Sequence, residues 1–281
     1  MSPARLTLPQ LKQSKVRNGH APLTMVTAYD EPSARLADAA GVELLLVGDS
    51  VANVVLGHED TLQLSTAEMA YHVAAVRAAR PEALIVGDLP WLSYHLSRHE
   101  AVANAATLIR AGAGCVKLEG GANRVPVVTA IIEAEIPVMG HLGLTPQSVH
   151  AMGGYRVQGR SVDAATALLE DARALEAAGA CAIVLEGIPD LVAARITEAL
   201  EIPTIGIGAG TATDGQVLVF HDLLGLSGRT PPKFVRPYAA LGEAVTAAIA
   251  AFRSDVRSGS FPGPAETYHA PEELARELGD H

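Results

Sequence analysis

The sequence predicts an α/β fold, a (β/α)8 TIM barrel, from three observations. Short aliphatic runs recur along the chain and each stops at once on a polar residue or glycine: LLLVGDS at 44–50, then LIVGDLP, CVKLEGG, PVMGHLG, AIVLEGIP and TIGIGAG. The runs are near-continuous rather than alternating, which marks parallel strands covered on both faces, and helix-like segments separate them. The segment AGAGCVKLEG at 111–120 is echoed without a gap by AGACAIVLEG at 178–187, so two βα units share one design.

Taken in order, the expected strands are Leu23–Thr27, Leu44–Gly48, Ala83–Gly87, Cys115–Glu119, Pro137–Gly140, Ala182–Glu186, Thr204–Gly208 and Lys233–Val235. Between them, Ser65 with Glu68 and Ser97 with Glu100 have capping-box spacing and predict helix starts ahead of two apolar runs. Gly112 and Gly179 stand where helices should end before the echoed strands. An open doubly wound sheet is the rival topology. Its glycine turn would have to be TIGIGAG, which comes late in the chain and whose Gly206, Gly208 and Gly210 lack GxGxxG spacing.

A chain of 281 residues, 49% hydrophobic, can bury a large core, and barrels of this length commonly form one domain. The expectation is a single domain over 1–281, with a short N-terminal lead (1–21) and a peripheral C-terminal tail (about 262–281) that is Pro/Gly-rich and then charged. A formal charge of −10 excludes the basic footprint that nucleic acid or an anionic membrane requires, which leaves small molecules as partners. Cys115 and Cys181 lie in strand-like runs without CxxC or Cys/His spacing and read as buried free thiols, in keeping with a reducing compartment. With no signal-peptide pattern and no run of membrane-span length, a cytoplasmic location is expected.

Barrel active sites lie at the C-terminal ends of the strands. Here Asp49, Asp88, Glu119, His141 and Glu186 fall at the ends of the second to sixth runs. Any one of them alone reads as a helix cap or a solvent-facing group. Several carboxylates converging on one mouth would raise each other's pKa values unless a cation offset their charge. All-oxygen ligands point to a hard ion, and two carboxylates completed by water and substrate oxygens match the way Mg2+ is held, so Asp49 and Asp88 are candidate ligands. No HExxH or paired histidines suggest zinc, and His58, His72, His95, His99, His150 and His221 read as surface, core or supporting groups.

Lys117 and Glu119 leave one strand from the same face. They form a structural ion pair, or Lys117 meets an anionic substrate such as a carboxylate, or it forms a Schiff base with an oxo acid. His141 opens the loop GHLGLTPQS, and its plain reading is a hydrogen bond to backbone. GGYRVQGR at 153–160 is a glycine-bounded loop whose Tyr155, Arg156 and Arg160 form a lid or simply face solvent.

The strings TAYD, LLVGDS, GDLPW, VKLEGG, GHLGLTPQS, GGYRVQGR, VLEGIP and IPTIGIGAG, in this order from about Thr24 to Phe261, together closely resemble the ketopantoate hydroxymethyltransferases. The resemblance implies a Mg2+-dependent barrel of the phosphoenolpyruvate/pyruvate superfamily that works in pantothenate, hence coenzyme A, synthesis. It implies transfer of a hydroxymethyl group from the co-substrate 5,10-methylenetetrahydrofolate to 3-methyl-2-oxobutanoate, giving 2-dehydropantoate and tetrahydrofolate. Carried over by motif, Asp49 and Asp88 would bind the metal and meet the substrate around it, with Glu119 as the third metal-site residue. Ser50 and Lys117 would hold the substrate's carboxylate and keto oxygens, His141 would hydrogen-bond in the pocket, and Glu186 would be the general base. A homodecamer of two stacked five-membered rings is also implied.

The stretches before Pro22 and after Phe261 match no motif, and no residue is singled out for folate. The enzymatic rival is a Mg2+-dependent oxo-acid lyase or mutase of the same superfamily, which would use the aspartates without folate. A branch with a catalytic cysteine loop is disfavoured because both cysteines lie in strand runs. A non-catalytic metabolite- or nucleotide-binding barrel built on IGIGAG would need neither Glu186 nor Asp88.

Overall fold

The aliphatic runs pair in parallel and in sequence order into a closed barrel in the computed structural model of the chain, which describes residues 6–228 and 230–279. Its strands are β1 (Leu23–Thr27), β2 (Leu44–Val47), β3 (Leu84–Asp88), β4 (Cys115–Glu119), β5 (Val138–Gly143), β6 (Ala182–Glu186), β7 (Thr204–Ile207) and β8 (Gly215–Leu218). Side chains alternate across each strand, so β2 to β6 feed two cores, while β1, β7 and β8 contribute to the inner one alone. Met25, Leu46, Val86, Met139, Ile205 and Val217 belong to one cluster, which fills the barrel. Leu45, Ile85, Val116, Val138 and Ile183 belong to another, packed under the helices. Two buried faces explain why the runs are continuous rather than alternating.

The expected helix starts are present. Ser65 accepts from the Glu68 N–H at the head of helix Thr66–Ala78, and Ser97 accepts from the Glu100 N–H at the head of helix Arg98–Ala111. Seven expected strands occur within one to three residues of their bounds, but the eighth is corrected: Gly215–Leu218 closes the barrel against Leu23–Val26, and Lys233–Val235 is not a strand. Flanking Pro231, Pro232 and Pro237 lack the N–H that a central strand must donate. Instead, that segment lines the barrel mouth.

The lead is better integrated than its lack of motifs suggested. Helix Leu8–Gln13 places Leu11, fully buried, in the inner cluster and so seals the barrel floor. Beyond it Lys15, also buried, donates to Asp214 Oδ2 at 2.8 Å and to the Thr197 carbonyl at 2.6 Å. Asp214 in turn accepts from the N–H groups of Val16 and Thr204. A buried pair is costly to break because the surviving charge is left without a partner. Lys15→Ala is therefore expected to destabilise the protein by roughly 3 kcal/mol, measured as the change in urea midpoint at constant slope. A midpoint equal to the parent's would deny the lead this role.

Both cysteines are free and buried, their sulfurs 3.5 Å apart inside the barrel. Past the barrel, helix Leu241–Ser258 has no buried residue, and the described tail beyond it is exposed except at the half-buried Gly263, helix Glu272–Gly279 included. The first five residues of the expected lead and the last two of the tail lie outside the described residues. Among the described residues no helix is long and apolar enough to cross a membrane.

Candidate active site

On β3, β4 and β6 the polar stop is the last inward-facing position of the strand; His141 is an inward position of β5, and Asp49 follows the end of β2. On β3, Leu84 and Val86 point into the barrel and Asp88 takes the next inward position; on β4, Cys115 is followed by Lys117 and Glu119; on β5, Met139 is followed by His141. The register then aligns them around the mouth, with Asp88 opposite Lys117, Glu119 opposite His141 and Gly143 opposite Glu186. All five expected ionisable positions thus meet at one end of the barrel. Asp49, Asp88, Lys117, Glu119 and His141 are buried, and Glu186 is partly exposed.

Lys117 Nζ lies 2.9 Å from Asp88 Oδ1 and 3.3 Å from His141 Nδ1. His141 bridges two carboxylates, with Nδ1 3.3 Å from Glu119 Oε1 and Nε2 3.2 Å from Glu186 Oε2. The Asp49 N–H donates to Asp88 Oδ2 at 3.1 Å. Ser50 Oγ shares a hydrogen bond with the Tyr29 hydroxyl at 2.8 Å. Of the three readings of Lys117, the ion pair is present, and its partner is Asp88 rather than Glu119.

Burial dominates the electrostatics. Desolvation, reinforced by the Glu119 charge, raises the Asp49 pKa to about 6 against the opposing pull of Lys117. Asp88 is likewise raised to about 6, because desolvation outweighs even the adjacent ammonium. Burial pushes Lys117 down, but Asp88, Glu119 and Asp49 together drive it above its ordinary value, so it is charged. For His141, burial and Lys117 lower the pKa, and its contacts with Glu119 and Glu186 more than offset them, lifting it to about 9. At the mouth, burial thus leaves Asp49 and Asp88 incompletely neutralised.

The family model for ketopantoate hydroxymethyltransferase matches residues 5–264. The chain belongs to that family. The 3-methyl-2-oxobutanoate hydroxymethyltransferase of Methylobacterium sp. (strain 4-46) is 54% identical over 272 residues, covering 97% of this chain and 94% of the relative. That of Koribacter versatilis (strain Ellin345) is 52% identical, covering 93% and 89%. Among solved structures, a 2,3-dimethylmalate lyase of the PEP mutase/isocitrate lyase superfamily shares the fold with a TM-score of 0.60 at 20% identity, over 98% of this chain and 95% of that one. A phosphonopyruvate hydrolase in complex with oxalate and Mg++ shares it with a TM-score of 0.61 at 14% identity, over 98% and 96%.

As a member of the ketopantoate hydroxymethyltransferase family the chain is a hydroxymethyltransferase of pantothenate biosynthesis. Above the buried cluster opens a cavity of about 730 Å3. Ser50, Lys117, His141 and Glu186 line one part of it, and Leu144, Val184, Ile207, Val217 and Phe234 form an apolar wall. Tyr155 and Arg156 of the expected lid loop reach the cavity, whereas Arg160 is exposed and does not line it.

Two glycines set this geometry. Gly143, at φ +96°, lets the end of β5 press onto β6, since a Cβ there would stand 2.2 Å from the Glu186 carbonyl oxygen. Gly208, at φ +61°, allows the Phe234 ring to lie where its own Cβ would otherwise be, 2.8 Å from the nearest ring carbon. The suspected nucleotide turn IGIGAG is thus a seat for an aromatic wall.

The donor set suits a hard divalent cation. Asp88 Oδ1 and Glu119 Oε1 are buried and meet only the cationic groups of Lys117 and His141, and Asp49 Oδ1 accepts no hydrogen bond among the described residues. The three carboxylates expected around the metal are, however, not assembled as a cage. Among the described residues no group of three or more Asp, Glu, His or Cys side chains has metal-cage spacing. Glu119 has other partners, Oε2 accepting from the Gln147 N–H at 3.0 Å and Oε1 meeting His141. Asp49 and Asp88 remain as the pair joined directly to each other.

Reading the sequence missed Gln147, Tyr94 and Tyr29. The Tyr94 hydroxyl donates to Gln147 Oε1 at 2.7 Å and accepts from the Glu119 N–H at 3.2 Å. Nothing in a lone amide or phenol marks it in advance, because its role depends on which strand ends it meets in space.

Proposed function

We propose that the enzyme transfers a hydroxymethyl group from 5,10-methylenetetrahydrofolate to 3-methyl-2-oxobutanoate, giving 2-dehydropantoate and tetrahydrofolate. The observation that carries this reading is the juxtaposition, at one barrel mouth, of two under-neutralised buried aspartates, a charged lysine and the more accessible Glu186. Asp49 and Asp88 would hold Mg2+, with Glu119 one step behind. When bound, the ion supplies positive charge against the negative charge that grows on the oxo acid's oxygens.

Lys117 and Ser50 orient the substrate's carboxylate and keto oxygens from the cavity wall. Glu186 takes the C3 proton, and His141, held 3.2 Å away, stabilises its carboxylate and fixes its direction. The resulting nucleophilic carbon bonds to the folate's methylene carbon as one of its two C–N bonds breaks; the oxygen of water then bonds to that carbon as the second C–N bond breaks, and the proton taken from C3 and one proton of water end on the two folate nitrogens to leave tetrahydrofolate. The apolar wall of Leu144, Val184, Ile207 and Phe234 offers a face for the branched methyl groups and for a flat pterin ring, and keeps water from the reacting carbon. Lys117 needs no covalent role, because its charge is already committed to Asp88.

The chain works in this reading as one domain, in the cytoplasm, and as a homodecamer. The apolar stripe Val245, Ile249, Phe252 and Val256, exposed along helix Leu241–Ser258, supports burial against another copy. Incubation of the purified protein with 3-methyl-2-oxobutanoate, methylenetetrahydrofolate and Mg2+ should yield the hydroxymethylated acid by mass spectrometry. A product that forms without folate, or cleavage of an oxo acid in its place, would favour the lyase or mutase reading instead.

A further inference from the structure

We propose that Gln147 is the positioning residue that aims Asp49 at the metal, an inference that rests on Asp49 holding a divalent cation. Gln147 is 5% exposed and sits in the short 3-10 turn that follows β5. Its Nε2 donates to Asp49 Oδ2 and to the Leu89 carbonyl, both at 3.0 Å, while Oε1 accepts from the Tyr94 hydroxyl at 2.7 Å. Both N–H donors and the carbonyl oxygen are therefore in use.

These partners also decide which way the amide faces. Turned over, it would set Oε1 against the Leu89 carbonyl and the Asp49 carboxylate, three acceptors together with no proton between them. Asp49 is consequently held by Oδ2 alone, and its Oδ1 accepts no hydrogen bond among the described residues. That arrangement presents one oxygen, at a fixed angle, to an ion.

The backbone of the same residue does a second task. Its N–H holds Glu119 Oε2 at 3.0 Å, so one turn residue sets the spacing between carboxylates on β4 and just after β2. Tyr94 ties the arrangement from the other side through the Glu119 N–H. A plug that merely satisfied a buried carboxylate would need the Asp49 contact alone, and would leave ion affinity unaffected beyond any loss of stability.

The test is calorimetric titration of the full-length protein with Mn2+ in the presence of 3-methyl-2-oxobutanoate, with thermal unfolding measured alongside. Gln147→Met keeps the volume and removes the amide. It is expected to weaken Mn2+ binding roughly tenfold to a hundredfold and to lower kcat more than it raises the KM for the oxo acid. Tyr94→Phe keeps the amide but frees it to turn over, and should weaken Mn2+ binding by a smaller factor. A folded Gln147→Met protein with wild-type Mn2+ affinity overturns the proposal; if that variant does not fold, wild-type affinity in Tyr94→Phe overturns it. Failure of the unmodified protein to bind Mn2+ would instead remove the metal reading on which the inference stands.

Discussion

Glu186→Gln should abolish exchange of the C3 proton of 3-methyl-2-oxobutanoate with deuterated water while the oxo acid and Mg2+ still bind. The amide is isosteric, and its oxygen can still face His141, whose Nε2 lies 3.2 Å from Glu186 Oε2, so the pocket keeps its shape. What disappears is the lone pair basic enough to take a proton from carbon, and removal of a positioned general base costs roughly a hundredfold to ten-thousandfold in rate. Exchange followed by proton NMR isolates this step, because it needs neither folate nor product release. Exchange at the parent's rate would remove Glu186 as the base and turn attention to His141, the nearest group able to move a proton.

Asp88→Ala is expected to have the largest effect on both stability and metal binding. Asp88 sits 2.9 Å from a buried lysine and also accepts the Asp49 N–H, so its loss leaves one charge and one donor without partners. Breaking a buried pair in this way costs about 3–5 kcal/mol, visible in urea denaturation. Titration with Mg2+ or Mn2+ should show affinity falling beyond detection. Asp88→Asn separates the two roles, since it keeps the volume and the acceptor for Asp49 N–H but presents only one carbonyl oxygen. Unchanged metal affinity in either folded variant would count against Asp88 as a ligand.

The barrel was legible because a strand buried on both faces must be aliphatic throughout, and Leu44–Val47, Cys115–Glu119 and Ala182–Glu186 satisfy that without ambiguity. The eighth strand was not, because its four residues include a glycine and an exposed glutamine, while Lys233–Val235 imitates a strand until its prolines are weighed. Asp49, Asp88, Lys117, Glu119, His141 and Glu186 could be marked from the chain alone, since each interrupts an apolar run where only function or an ion pair would retain it. Lys15, Tyr94 and Gln147 could not. Each lies in a polar or mixed segment, and each acquires its role from a partner distant in sequence, such as Lys15 with Asp214 or Gln147 with Asp49. Periodicity reports which face of an element is buried, and it carries no information on what that face will meet.

The echoed segments end identically in Leu-Glu-Gly, yet their glutamates have different surroundings. Glu119 is enclosed, with Gln147 and His141 at its two oxygens, whereas Glu186 keeps an open side on the cavity. One inward place earlier the copies also diverge, lysine at 117 against valine at 184. The same local design thus holds one glutamate enclosed and leaves the other open, the difference arising from neighbours rather than from the shared letters. Exchanging Lys117 and Val184 between the copies would test how far that difference can be moved around the ring.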